Sequence, residues 1–258
     1  MNSLVRIQAL ATNTFREAIR NKLLYSLLGF GILMIGSGVL LATLSYVEVN
    51  EILQDMGMAA IRFFSAGIAI FVGIGLIHNE VDRRTIFTIL SKPVSRSEFL
   101  IGKWAGLTFT VWLQLALMTL AFGIVSWTAG APLGWDHGVA IALIGLELML
   151  LVAIATFFSA FTTPMLAALF TVGIWMIGHL SRDVRALGEQ SDLESVSKMA
   201  DIVFVAMPDF EVFNKTLEAV HGLPISASEI QMAIVYAFGY TVCTLILGSM
   251  IFSRRDFK

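Results

Sequence analysis

The chain has little charge: 14% of its 258 residues are Asp, Glu, Lys or Arg, against about a quarter in an average soluble domain. It has a single cysteine, Cys243, which excludes a disulfide scaffold within the chain. Its 57% hydrophobic content excludes disorder. A net charge of −2 gives no reason to expect nucleic acid as a partner. These features together exclude an ordinary water-soluble enzyme.

The sequence also lacks the motifs of the common catalytic and metal sites. A phosphate-binding loop would need a glycine five residues before a Gly-Lys pair, but Ser97 precedes Gly102-Lys103, and Trp104 follows them. The four histidines do not occur at the helical spacing of a zinc pair. We therefore predict that the chain is not an enzyme and holds neither metal nor cofactor.

Six apolar stretches are each long enough, at about 20 residues, to cross a bilayer as a helix. They predict an all-α integral membrane protein with six transmembrane helices, forming one domain. The stretches are 23–45, 59–78, 100–126, 138–161, 164–180 and 230–252. We expect Arg62, near the start of the second stretch, to snorkel toward the headgroups, and Trp175 to anchor a span at the membrane surface.

Basic residues are concentrated on one side of this topology. Twelve Lys and Arg lie in residues 1–22, in and just after the 79–99 segment, and in the 253–258 tail, whereas five lie on the opposite side with thirteen acids. The positive-inside rule therefore predicts that both termini are cytoplasmic.

The residues before the first span have the pattern of an interfacial helix. Apolar residues from Leu4 to Ile19 recur at steps of three and four, and Arg6, Arg16 and Arg20 fall elsewhere. This pattern is typical of an amphipathic helix in the headgroup plane, with its basic face toward anionic lipid. We assign it to residues 1–22; a frayed tail is the alternative.

The segment 181–229 predicts short helices between spans five and six. Helical periodicity covers 192–205, a break follows at Pro208-Asp209, and a second short helix ends near Gly222, which suits a C-cap. The segment docks a periplasmic partner or caps the pathway; the alternative is a solvated lid over the bundle.

Glu147 is the one acid within a predicted span, about 12 Å from its outer end at ~1.5 Å per residue. Such a residue faces a bundle interior or a cavity, and function is the default hypothesis. The alternative is a structural hydrogen bond to a polar neighbour such as Gln114, or to another protomer.

The segment between spans two and three carries the most specific pattern. Acidic and basic residues open a short helix, Phe87 and Leu90 give it an apolar side, and Pro93 ends it. Its sequence reads HNEVDRRTIFTILSKPVSRSEFLIGK over residues 78–103. It resembles the signature of ABC-2 type transporter permeases, particularly the group associated with multi-copper-enzyme maturation and gliding motility. Arg84 stands where many members of the wider family have glycine.

The resemblance implies that residues 79–90 are a coupling helix seated in a groove of a separate ATP-binding subunit. The coupling residues it implies are Glu80, Asp82, Arg83, Arg84, Thr85, Phe87, Leu90 and Pro93. It also implies two ATPase copies that hold ATP and Mg, a second copy or close paralogue of this chain, and a bacterial inner-membrane location. Phe210 and Phe213 would be re-entrant bilayer anchors.

Two rival functions stay open at this point. In one, the chain is a stand-alone secondary transporter or channel with Glu147 as its relay. In the other, it hands ATP-driven motion to a periplasmic or lipoprotein partner through 181–228 and moves no substrate.

Overall fold

The computed structural model describes residues 3–42, 49–82, 95–190 and 193–254, and throughout these ranges the regular elements are helical. The helices are α1 (Ser3–Ala18), α2 (Lys22–Ala42), α3 (Val49–Asp82), α4 (Arg96–Thr128), α5 (Trp135–Ser159), α6 (Pro164–Glu189), α7 (Glu194–Ala206), a 3-10 helix (Phe210–Phe213), α8 (Thr216–Val220) and α9 (Ala227–Arg254). Six of them, α2 to α6 and α9, are long and apolar enough to span a membrane. The predicted all-α membrane fold with six spans is confirmed.

Helices α3 and α6 extend furthest beyond their apolar stretches. Helix α3 begins at Val49 and not near residue 59, and α6 continues to Glu189 and not to about 180. Hydropathy detects the section of a helix that crosses the hydrocarbon, whereas the backbone hydrogen bonds of a helix continue until a breaker intervenes. Polar residues such as Glu51, near the start of α3, and Asp183, near the end of α6, therefore lie on helical turns outside the apolar stretches.

Helix α1 packs along the beginning of α4. A Cβ added at Gly106 would lie 2.5 Å from the Ala11 carbonyl oxygen and 2.7 Å from Thr14 Cβ, so the absent side chain permits this close approach. Phe15 packs edge-on against Phe109, with ring centroids 5.0 Å apart. Part of the apolar face of α1 therefore contacts α4; that the helix lies in the headgroup plane with its basic face toward anionic lipid stays a prediction.

Helix α5 is the central element of the bundle. It contacts α3, α4, α6, α8 and α9, and most of its side chains are buried. Its sequence suits this position because apolar residues occur on every side of the helix, as expected for a helix surrounded by others. Polar groups in the later turns of α5, such as Glu147 and Thr156, consequently lie inside the protein.

Two ends of the bundle can be distinguished. At the terminal side, the starts of α1 and α4 meet the end of α9: Arg96 Nη1 donates to the Phe252 carbonyl at 2.8 Å. At the opposite side, α7 packs on the end of α6, with Ala200 against Gly188. The predicted cap at Gly222 is confirmed, because its φ is +64° where α8 ends.

Candidate functional site: a buried carboxylate beneath residues 208–222

Glu147 lies on α5 with its side chain fully buried. It is 12 residues from the helix start at Trp135, about 18 Å along the axis at ~1.5 Å per residue. Its Oε1 accepts hydrogen bonds from Trp175 Nε1 and from His179 Nε2, both at 2.9 Å. The two donors are four residues apart on α6 and therefore share one face of that helix.

Arg62 of α3 supplies the opposite charge. Its Nε is 3.5 Å from Glu147 Oε2, and the side chain is 14% exposed. Within the described part of the chain, Nε and Nη2 have no hydrogen-bond partner, so the pair is held by charge attraction at a distance. Arg62 turns inward because a buried carboxylate needs a compensating charge. The snorkelling prediction was wrong.

His179 extends the cluster to the segment beyond α7. Its Nδ1 is 3.0 Å from Glu211 Oε1, on the 3-10 helix. Asn214 Nδ2 also donates to Glu211, at 3.3 and 3.1 Å to its two oxygens. Burial by itself raises the pKa of Glu211, but the hydrogen bonds from His179 and Asn214 outweigh burial and hold that pKa below its usual range. Glu211 is therefore ionised at neutral pH.

The protonation of His179 follows from counting donors. An ionised carboxylate only accepts hydrogen bonds, and His179 faces one carboxylate at each ring nitrogen. Both nitrogens must carry a proton if both carboxylates are ionised. The charges of Arg62, His179, Glu147 and Glu211 then sum to zero, which is how a buried charged group persists without a bulk counter-ion.

The 208–222 segment is fixed to α6 and α9 by polar contacts around Asp209. Arg182 Nε donates to Asp209 Oδ2 at 2.8 Å, and the Asp209 backbone N–H donates to the Tyr236 hydroxyl at 2.7 Å. Asp209 Oδ1 also caps the 3-10 helix by accepting from the Glu211 N–H at 2.9 Å. Pro208 and Asp209 were predicted to interrupt the helix here, and they separate α7 from the 3-10 helix directly beside the cluster.

Phe210 and Phe213 are fully buried within the protein. The Phe210 ring stacks on His179 with centroids 5.7 Å apart, and Phe213 packs edge-on against Tyr236 at 6.0 Å. Neither side chain faces the bilayer, so their interpretation as lipid anchors was wrong. The segment approaches α6 closely because Gly178 has no side chain: an added Cβ would lie 2.4 Å from the Pro208 carbonyl oxygen.

Gln114 lies elsewhere in the bundle. Its Nε2 donates to Ser65 Oγ at 3.1 Å and contacts Met118 Sδ. It bonds α4 to α3, whereas Glu147 faces α3 and α6. The alternative in which Gln114 is the polar neighbour of Glu147 is therefore wrong, and the partners of Glu147 are Arg62, Trp175 and His179.

A cleft of about 560 Å³ opens beside the cluster, between α3 and α6. Its wall combines apolar residues such as Phe63 and Met176 with polar and charged ones. The polar and charged residues are Asp55, Arg62, His179, Asn214 and Thr216. Arg62 lines this cleft, but its unpartnered Nε and Nη2 are buried and have almost no accessible surface.

The predicted coupling residues are divided between α3 and a part of the chain outside the described residues. Glu80 and Asp82 belong to the last turn of α3. They do not open a separate helix as predicted, because no glycine or proline interrupts residues 76–82. Arg83, Arg84, Thr85, Phe87, Leu90 and Pro93 lie outside the described residues.

The sequence analysis identified Glu147 but missed its partners Trp175 and His179, which are 28 and 32 residues away along the chain, and Arg62. One signal was present: Trp175 and His179 share a helix face at the depth of a buried acid. Another was Arg62, a cation within a span, since intramembrane charges pair with one another.

The six apolar helices define a multi-pass membrane protein. A family model described as ABC-2 family transporter protein matches residues 8–257. The chain therefore belongs to the ABC-2 transporter family and is a permease subunit of an ABC transporter, a class of subunit that generally works with an ATP-binding subunit. No curated protein matches the sequence.

Proposed function

We propose that this permease couples ATP hydrolysis by a separate ATP-binding subunit to export or conformational work across the bacterial inner membrane. The complex contains two copies of the chain, or one with a close paralogue, and two ATPase copies that bind ATP and Mg. The chain itself is not the ATPase. Both termini are cytoplasmic, and residues 79–90 contact the ATPase.

The observation that carries this proposal is the continuity of α3. The helix runs unbroken from the cleft to the predicted coupling segment: Arg62 and Asp82 lie on the same helix, about 30 Å apart at ~1.5 Å per residue. A displacement that enters at residues 83–94 is therefore transmitted by one rigid element to the charged cluster.

The other end of the coupling segment leads into an equally constrained helix. Arg6 holds Glu98 at the start of α4 through two hydrogen bonds of 2.6 and 3.1 Å. Glu98 also completes a capping box with Ser95. Because Arg96 bonds α4 to the end of α9, motion of the segment displaces α1, α4 and α9 together.

Purification from native membranes in mild detergent tests the proposal. The wild-type chain is expected to carry an ATP-binding subunit with it, and Phe87→Asp or Arg84→Asp to lose that subunit while still inserting. Arg16→Asp is the matched control for Arg84→Asp, because Arg16 is exposed on α1 and the two substitutions change the charge equally. Retention of the subunit by both coupling variants would contradict the proposed contact.

The side of the membrane on which the two termini lie is tested in the same strains. Single cysteines placed near either terminus, in a Cys243→Ser background, are expected to resist a membrane-impermeant thiol reagent in intact cells. Labelling of both termini from outside would reverse the proposed topology.

A second candidate function, action on a periplasmic partner, is favoured by α7. This helix packs on α6 but leaves Met199, Ile202 and Val205 at least 66% exposed, and large exposed apolar side chains indicate a contact site. Ile202→Asp should release such a partner while the ATPase activity of the complex persists. If partner binding is unchanged, this candidate fails.

A further inference from the structure

The contact between the bundle and the 208–222 segment depends on one side chain with two faces. His179 bonds Glu147 of α5 through Nε2 and Glu211 of the 3-10 helix through Nδ1. The nitrogens point in different directions, so the ring forms a bridge between the two carboxylates. His179 also lines the cleft, and its side chain is 16% exposed, so a proton that leaves the ring has a path to solvent.

Each end of this bridge requires a proton on the imidazole. If His179 loses one proton, a ring lone pair meets a carboxylate lone pair across about 3 Å, and attraction becomes repulsion. The Phe210 ring stacked on His179 adds a further interaction that favours the cation. The bridge therefore holds the segment closed only while the imidazole keeps both protons.

We propose that His179 is a proton-dependent joint: the 208–222 segment closes on the bundle when His179 holds two protons and lifts when one leaves. This proposal rests on the permease function proposed above. In that function, the segment opens and closes over the cleft at each transport cycle. The joint binds one proton per chain in the closed state and releases it on opening.

The charged and titratable groups around the joint come from every neighbouring element. They are Glu147 on α5, Arg62 and Asp55 on α3, Arg182 on α6, Asp209, Glu211 and Lys215 in the segment, and Tyr236 and Tyr240 on α9. Arg62 pairs with Glu147, Arg182 with Asp209, and Lys215 with Glu218 and Glu229.

Two of these groups fix the useful pH range. The pKa of Glu211 is held below its usual range, as described above. Burial lowers the pKa of Lys215, but its hydrogen bonds with Glu218 and Glu229 prevail and raise that pKa above the usual value. Both groups keep their charge between about pH 6 and 9. A change in the protection of residues 208–222 within this pH range therefore reports on the protonation of His179.

Hydrogen exchange of the 208–222 amides, measured on the full chain in lipid nanodiscs, tests the joint. After correction for intrinsic exchange rates, protection is expected to be high at pH 6. It should fall toward pH 9 with a limiting slope of about tenfold per pH unit, the signature of one proton. Equal protection at pH 6 and 9 would overturn the proposal.

Two variants identify the group that titrates. His179→Gln should give low protection at all pH values, because one amide nitrogen cannot replace two donors on opposite sides of a ring. Glu211→Gln should keep the segment protected at pH 9 with no slope, because its amide donates to an unprotonated Nδ1. If the His179→Gln chain fails to insert into the membrane, the Glu211→Gln variant is sufficient for the test. A pH dependence of protection in Glu211→Gln equal to that of the wild type would overturn the proposal.

His221→Gln is the matched control. His221 belongs to the same segment, but its partner is Glu51, at 3.4 Å on the protein surface, and exposed pairs contribute little. The slope should persist in this variant; its loss would refute the assignment to His179. The test uses no ATP-binding subunit, so failure of the ATPase to co-purify would contradict the proposed function and leave this result unchanged.

Discussion

Two Arg–Glu pairs, one at the terminal side of the bundle and one in its interior, differ in almost everything except residue type. Arg6 and Glu98 at the terminal side are 2.6 Å apart with side chains 22% and 9% exposed. Arg62 and Glu147 are 3.5 Å apart with side chains 14% and 0% exposed. The shorter pair is the one nearer water, so distance alone does not rank their importance.

The difference lies in what remains when a partner is removed. Water and the Ser95 cap can satisfy Glu98 after loss of Arg6. Glu147 has no access to solvent, and its loss leaves two cations in the interior. A buried pair is weak evidence of stabilisation, but breaking one is costly because it strands a charge. The interior cluster is therefore expected to dominate folding, and the terminal pair to set the position of α1.

Glu147→Ala should have the largest effect. It removes the acceptor of Trp175 and His179 and the counter-charge of Arg62, and uncompensated buried charge costs about 3–5 kcal/mol. The yield of monodisperse protein and its thermal midpoint in detergent measure the loss. Glu147→Gln removes the same charge but keeps the volume and one acceptor oxygen, so it should lose less; equal losses would show that the charge alone matters and that the acceptor and the volume do not.

Gly178→Ala should act on the 208–222 segment. The new Cβ would meet the Pro208 carbonyl oxygen and the Phe210 ring, both at 2.4 Å, and such overpacking costs about 1–3 kcal/mol. Limited proteolysis within 208–222 is expected to accelerate. Gly173→Ala on the same helix meets nothing within 4 Å, so it should be neutral or stabilise by up to about 1 kcal/mol.

Gly106→Ala tests the terminal side in the same way. Its Cβ would press on Ala11 and Thr14, but α1 is a peripheral helix that can shift as a whole, so we expect a smaller loss of thermal stability than for Gly178→Ala. Cysteine cross-linking between α1 and α4 reports the displacement. Gly123→Ala, on the same helix with its nearest neighbour at 4.0 Å, should leave the cross-link intact.

Arg6→Gln should have the smallest effect, and one that depends on salt. Arg6 is partly exposed, so ions screen its attraction to Glu98, and the difference from wild type should shrink as ionic strength rises. Arg62→Gln is the comparison: its loss should be larger and insensitive to salt. Similar salt responses of the thermal midpoint would erase the distinction between the two pairs.

Hydropathy was sufficient to predict six spans because bilayer thickness fixes the length of an apolar run. It could not predict that α3 begins at Val49, since polar turns continue a helix beyond the hydrocarbon. The short helix over 194–206 and the cap at Gly222 were predictable because their signals are local. These signals are the helical periodicity of the apolar residues and a glycine at the end of the next helix.

The site was less predictable because it is built from long-range contacts. Glu147 was identified from its position in an apolar span, but its partners come from α3 and α6, and the choice of Gln114 was wrong because periodicity does not say which helix faces which. Phe210 and Phe213 illustrate the same limit: two aromatic residues beside a membrane suggest lipid contact, and only the tertiary fold shows Phe210 stacked on His179 and Phe213 packed against Tyr236.

The most direct test of coupling between the two ends is hydrogen exchange in the assembled complex. Protection of residues 208–222 is measured with and without a non-hydrolysable ATP analogue bound to the ATP-binding subunit. If motion that enters at 83–94 reaches the segment through α3, protection should change in the wild type and remain constant in Phe87→Asp. Unchanged protection in the wild-type complex, with nucleotide demonstrably bound, would contradict the account.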